Sequence, residues 1–115
     1  MTTLYGIPNC DTIKRCKKWL IENNIEYQFY DYKKQQCPKQ LIDNFLKHFS
    51  YEELINTRGT TWRKLPDAVK SSLSETTAIG LMQEQPSMIK RPIIETANGW
   101  LLGYNEQELI KTFLK

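Results

Sequence analysis

Histidine is nearly absent from this 115-residue chain, which carries one, His48, beside three cysteines that form no close pair. Metal centres draw on clustered His and Cys, so no metal site is expected. An odd cysteine count without framework spacing also argues against a disulfide scaffold and suits a reducing compartment. No apolar run approaches the ~20 residues that span a bilayer, and the first residues lack a basic flank with an apolar signal core. A cytoplasmic protein is expected. Neither sign of charge dominates: 16 Lys and Arg stand against 13 Asp and Glu, a net charge of +3. With the basic residues dispersed, no direct nucleic-acid contact is expected, while small anions remain plausible ligands.

What is present is ordinary for a folded chain, with 40% hydrophobic and 25% charged residues. The length supports one core, and a monomeric single domain over 1–115 is expected. Thr2-Thr3-Leu4-Tyr5 reads as a first strand stopped by Gly6 and Pro8, with Asn9 as N-cap of the helix that follows. Ile13, Cys16 and Leu20 recur at helical spacing, and Ile25 to Asp31 alternates as a second strand. Strand, helix, strand at this length predicts a βαβ unit with parallel strands.

Residues 38 to 85 read as a helical insertion. Pro38 opens a helix with Leu41, Ile42, Phe45, Leu46 and Phe49 on one face, and His48 falls off that stripe. Ser50 and Glu53 have capping-box spacing. Asn56 to Lys64 reads as a polar, basic loop, followed by short helices from Pro66 and from Glu75 to Gln83. Beyond it, Ile93 to Thr96 and Trp100 to Leu102 flank Ala97-Asn98-Gly99, a hairpin signal. Asn105 with Glu108 caps a last helix whose buried stripe is Leu109, Ile110, Phe113 and Leu114. The fold class expected is α/β: βαβ, a helical insertion, then ββα, a thioredoxin-like order with a four-stranded mixed sheet.

One cysteine stands out chemically. Cys10 falls at a helix start, where unpaired backbone N–H groups and the helix dipole favour the thiolate, the nucleophilic form. A lone cysteine is just as commonly a small buried hydrophobe, and position alone does not choose between the two. Asp11 opposes a second negative charge beside it, while Lys14 and Arg15 offset that effect. Cys16 lies about two turns along the helix and rotated away. Cys37, before Pro38 in an expected loop, is a candidate for a resolving thiol.

The segments Gly6-Ile7-Pro8-Asn9-Cys10-Asp11-Thr12, Asn56 to Leu65, Ile89-Lys90-Arg91-Pro92-Ile93 and the ending Gly103-Tyr104-Asn105-Glu106 resemble the arsenate reductase/Spx family, and within it the small YffB-like proteins. The resemblance covers nearly the whole chain in order. It implies a nucleophilic Cys10 with Arg91 and Arg58 converging on it, the guanidinium suiting a thiolate, an oxyanion or a carboxylate. It places Pro92 where thioredoxin-like folds carry a cis-proline, a form open to X-Pro bonds. Asn9, Thr12, Trp62, Arg63 and Pro92 are then the candidate substrate-binding positions.

The resemblance implies a thiol-dependent oxidoreductase, with glutathione as co-substrate rather than a bound cofactor, and a glutaredoxin-like protein as a possible reductant. Two other readings stay open. One is an Spx-like regulator that binds the α-subunit of RNA polymerase, although the Cys-x-x-Cys switch is replaced here by Cys10-Asp11-Thr12-Ile13. The other is an arsenate reductase, although Gly6 stands where those enzymes have histidine and no arginine occurs near Gly103-Tyr104.

Overall fold

The computed structural model describes all 115 residues and divides them into two compact units, Met1–Gln35 with Arg91–Lys115, and Gln36–Lys90. The first unit holds the four-stranded sheet, with β1 at Thr2–Gly6, β2 at Tyr27–Asp31, β3 at Ile93–Thr96 and β4 at Gly99–Leu102. Its order is β2-β1-β3-β4. β1 runs parallel to β2, with Leu4 opposite Phe29, and antiparallel to β3, with Leu4 opposite Ile94. The expected thioredoxin-like α/β arrangement is the one found.

The alternation of β1 explains its central place. Leu4 and Ile94 share a core with Ile13, Cys16, Trp19 and Leu20 of helix α1 (Asp11–Glu22). Leu109 of the last helix in the chain, Glu106–Phe113, completes that cluster, and Trp19 meets Phe113 with ring centroids 6.1 Å apart. Tyr5 is buried among polar partners: its hydroxyl donates to Glu95 Oε1 at 2.8 Å, and its ring stacks on Trp100. A one-residue slip of β1 would exchange these two sets.

The second unit is helical. After the single turn α2 (Tyr32–Gln35), which belongs to the first unit, come α3 (Lys39–Leu46), α4 (Tyr51–Leu54), α5 (Thr60–Arg63), α6 (Asp67–Ser71) and α7 (Glu75–Glu84), then a 3₁₀ turn at Pro86–Met88. α3 and α4 pack on α7, with Ile42, Phe45, Leu54, Ala78 and Met82 buried. The Ser50–Glu53 capping box forms as expected, the Glu53 amide donating to Ser50 Oγ at 3.1 Å and the Ser50 amide to Glu53 Oε1 at 2.9 Å. The final helix, α8, is the one already given at Glu106–Phe113, and the Glu108 amide donates to Asn105 Oδ1 at 3.1 Å. No helix is long and apolar enough to cross a membrane.

Several sequence expectations need correction. The Asn56–Lys64 segment contains the helix α5, opened by Gly59 with no side-chain cap. The N-cap of α1 is Cys10, one residue later than Asn9. Leu114 is exposed, because α8 ends at Phe113 and its side chain leaves the buried stripe. In the hairpin only Gly99 takes positive φ; the Asn98 amide instead donates to Thr96 Oγ1 at 3.0 Å.

Candidate active site at the start of the first helix

Cys10 joins the β1 turn to α1 with extended backbone, φ −148° and ψ 124°, and its carbonyl accepts the first helical hydrogen bond, from the Lys14 amide at 3.0 Å. The position is anchored from one turn away, since Ile13, Cys16 and Leu20 are fully buried in the core. Cys10 itself is part-exposed. A nucleophile needs both properties, a fixed backbone and an approachable sulfur.

The electrostatics favour the thiolate. Burial alone pushes the thiol up, but a hydrogen bond from the Arg91 side chain, the Ile13 amide, the Arg91 charge and the Thr12 amide together hold it below its ordinary range. These are the effects expected of a guanidinium and a helix N-terminus acting on sulfur. The lowering thus comes from Arg91, 81 positions away in the chain, together with the amides of the helix start. The other thiols behave oppositely: Cys16, with no exposed surface, and Cys37, at 2% exposure, are each pushed up to about 12 by burial.

Arg91 is aimed at the sulfur by its place before β3. The Arg91–Pro92 peptide is cis, and the Pro92 carbonyl accepts from the Gly103 amide at 2.8 Å, fixing this corner to the end of β4. Gly6 clears the way beneath. A Cβ at Gly6 would collide with Ile13 Cδ1 and lie 3.9 Å from Arg91 Cδ, so the bare backbone lets Ile13 and the Arg91 stem close over the turn.

Of the residues singled out from the sequence, the structure brings together Cys10, Thr12 (through its amide) and Arg91, with Pro92 next in the chain. Asn9 is exposed on the turn before Cys10. Arg58, Trp62 and Arg63 belong to the helical unit, where Trp62 is half-buried in α5 and Arg63 exposed at its end. Arg58 lines a polar cleft of that unit with Asn56, Thr57 and Lys90. The amides that act on Cys10 belong to Thr12 and Ile13, the unpaired N–H groups that any helix-start cysteine meets.

Known proteins resemble the chain along its whole length. A protein of Haemophilus influenzae is 42% identical over 98% of this chain and 99% of its own. The global transcriptional regulator Spx of Streptococcus mutans is 31% identical, over 99% of this chain and 83% of its own. Among solved structures, the YFFB protein superimposes with a TM-score of 0.91 at 38% identity, covering 97% of this chain and 98% of its own. An arsenate reductase (ArsC) related protein from Brucella melitensis gives 0.80 at 42% identity, covering 97% and 93%. The model of the ArsC family matches residues 5–112, and the chain belongs to that family.

Proposed function

We propose that the protein is a thiol-dependent oxidoreductase that uses glutathione and works through the single nucleophile Cys10. The observation that carries this reading is the Arg91 hydrogen bond to a part-exposed cysteine at a helix N-terminus, which favours the thiolate where a substrate can reach it. In the first step the Cys10 thiolate attacks one sulfur of a glutathione mixed disulfide. The substrate S–S bond breaks, a Cys10–glutathione disulfide forms, and the departing thiolate takes a proton from water. A second glutathione thiolate then attacks the glutathione sulfur, which releases glutathione disulfide and regenerates the Cys10 thiolate. When Cys10 leaves in the second step the electron pair of the broken S–S bond stays on its sulfur, and Arg91 and the two amides stabilise the thiolate charge there, as they do in the free enzyme.

An external second thiol is favoured by the state of the other cysteines, since Cys16 and Cys37 are buried and held protonated. The test is turnover of a glutathione mixed disulfide with glutathione, coupled to glutathione reductase, with intact-mass detection of one adduct on Cys10. Turnover that survives Cys10→Ser would sink the proposal.

The 31% identity to the Streptococcus mutans regulator supports a second reading, a surface that binds the α-subunit of RNA polymerase. Retention of this chain by the isolated C-terminal domain of that α-subunit, unaffected by Cys10→Ser, would favour it. Arsenate reduction has less support, because a side chain at Gly6, where those enzymes carry histidine, would meet Ile13.

A further inference from the structure

A second polar site lies within the helical unit. Two chain segments are clamped together there: the Lys90 amide donates to the Leu54 carbonyl at 2.6 Å, the Asn56 amide to the Met88 carbonyl at 2.8 Å, and Ile55 bridges Ile89. Ile55 and Ile89 are buried, so the clamp has an apolar floor. Beyond it the chain turns sharply, the Arg58 amide donating to Asn56 Oδ1 at 3.2 Å and the Gly59 amide to the Asn56 carbonyl at 3.2 Å. A Cβ at Gly59 would stand 3.1 Å from Asn56 Nδ2, so a larger residue there would make the Asn56 amide shift by a few tenths of an ångström. The result is a cleft of about 340 Å³ whose rim carries Arg58 and Lys90, with Glu52 and Glu53 also lining it.

The charges in this cleft are not spent on one another. Glu53 is committed to the Ser50 amide at 2.9 Å, whereas Glu52, Arg58 and Lys90 form no side-chain hydrogen bond or ion pair. Two cations and one available carboxylate around a small concave site complement a ligand that carries both signs. Arginine offers paired donors for a carboxylate, lysine adds a point charge, and a glutamate accepts from an ammonium. The volume is at the lower end for ligand pockets, the scale of one amino-acid end rather than a long peptide.

We infer that this cleft binds the α-amino acid end of a small zwitterionic molecule, its carboxylate on Arg58 and Lys90 and its ammonium on Glu52. The inference rests on the reductase reading only for the further step of identifying that molecule as a thiol, of which the γ-glutamyl end of glutathione is the matching chemistry.

The test is an amide NMR titration of the full chain with S-methylglutathione, which has no free thiol, and with its N-acetyl derivative. The expected result is that S-methylglutathione shifts the Asn56, Thr57, Arg58 and Lys90 amides. Its Kd should weaken about tenfold in Lys90→Gln, the scale of one charge-assisted contact, and recover in Lys90→Arg. N-acetylation should weaken binding about as much as Glu52→Gln does, and the two changes together little more than either alone, since both remove one contact. Shifts confined to other residues, or an acetylated probe that binds as well as its parent, would overturn the inference. Because the probe cannot exchange disulfides, failed turnover with an intact titration removes the reductase reading alone, and a failed titration with intact turnover removes the cleft alone.

Discussion

Cys10 sits under two opposed influences, burial that favours the neutral thiol and donors that favour the thiolate, and the donors prevail because one is a guanidinium. A hydrogen bond to a charged group contributes roughly 1.5–3 kcal/mol. Arg91→Gln should therefore lower kcat/KM for thiol exchange by about tenfold or more, with Cys10 alkylation slowed at neutral pH and its pH midpoint moved upward. Arg91→Lys should recover part of the loss, keeping the charge without the planar fork. At Gly6 the restraint is steric: Gly6→Ala drives a Cβ into the fully buried Ile13, an overpacking that costs about 1–3 kcal/mol. Ile13→Val removes the atom in the way, so the double variant should be more stable than the sum of the singles allows, which urea melts would show.

Among the elements, those with strong local signals are readable in the sequence, the short α4 and α6 included, and α5, which has none, is not. The Asn105 cap on α8 illustrates the first kind, and Asn105→Ala should cost about 1 kcal/mol, seen as a fall in Tm of about 4 °C. The Ser50 box, the α1 stripe and the order of strands were legible for the same reason, since each rests on residue types at fixed spacing. α5 is the opposite case. Four residues cannot show an apolar period, and Gly59 marks only a bend. Asn9 is the better cap chemically, yet α1 starts one residue later, with Cys10 at the N-cap and no side-chain cap hydrogen bond. Of the site, Cys10 and its helix start were visible locally; Arg91 was reached through family resemblance, because only the β1–β3 pairing carries it from position 91 to position 10.

Across the whole molecule, the three thiols give stability opposite dependences on pH. Cys16 and Cys37 stay protonated in the folded chain up to about 12, whereas unfolded thiols ionise near ~8.5. In that interval the unfolded state releases protons that the folded state retains, so stability falls as pH rises. Cys10 works the other way: its folded thiol loses its proton first, and the stabilisation it gives is present above the unfolded thiol's pKa and lost as pH falls through the folded one. Two buried groups outweigh one, and urea midpoints should decline between about pH 8.5 and 11, with a shallower decline in Cys37→Ala. The most direct measurement is the rate of iodoacetamide alkylation at each cysteine against pH, read by peptide mass in the native chain. Cys10 should react with a midpoint below that of a free thiol, shifted upward by Arg91→Gln, while Cys16 and Cys37 stay unmodified. A Cys10 midpoint at the free-thiol value that Arg91→Gln leaves unmoved would contradict this.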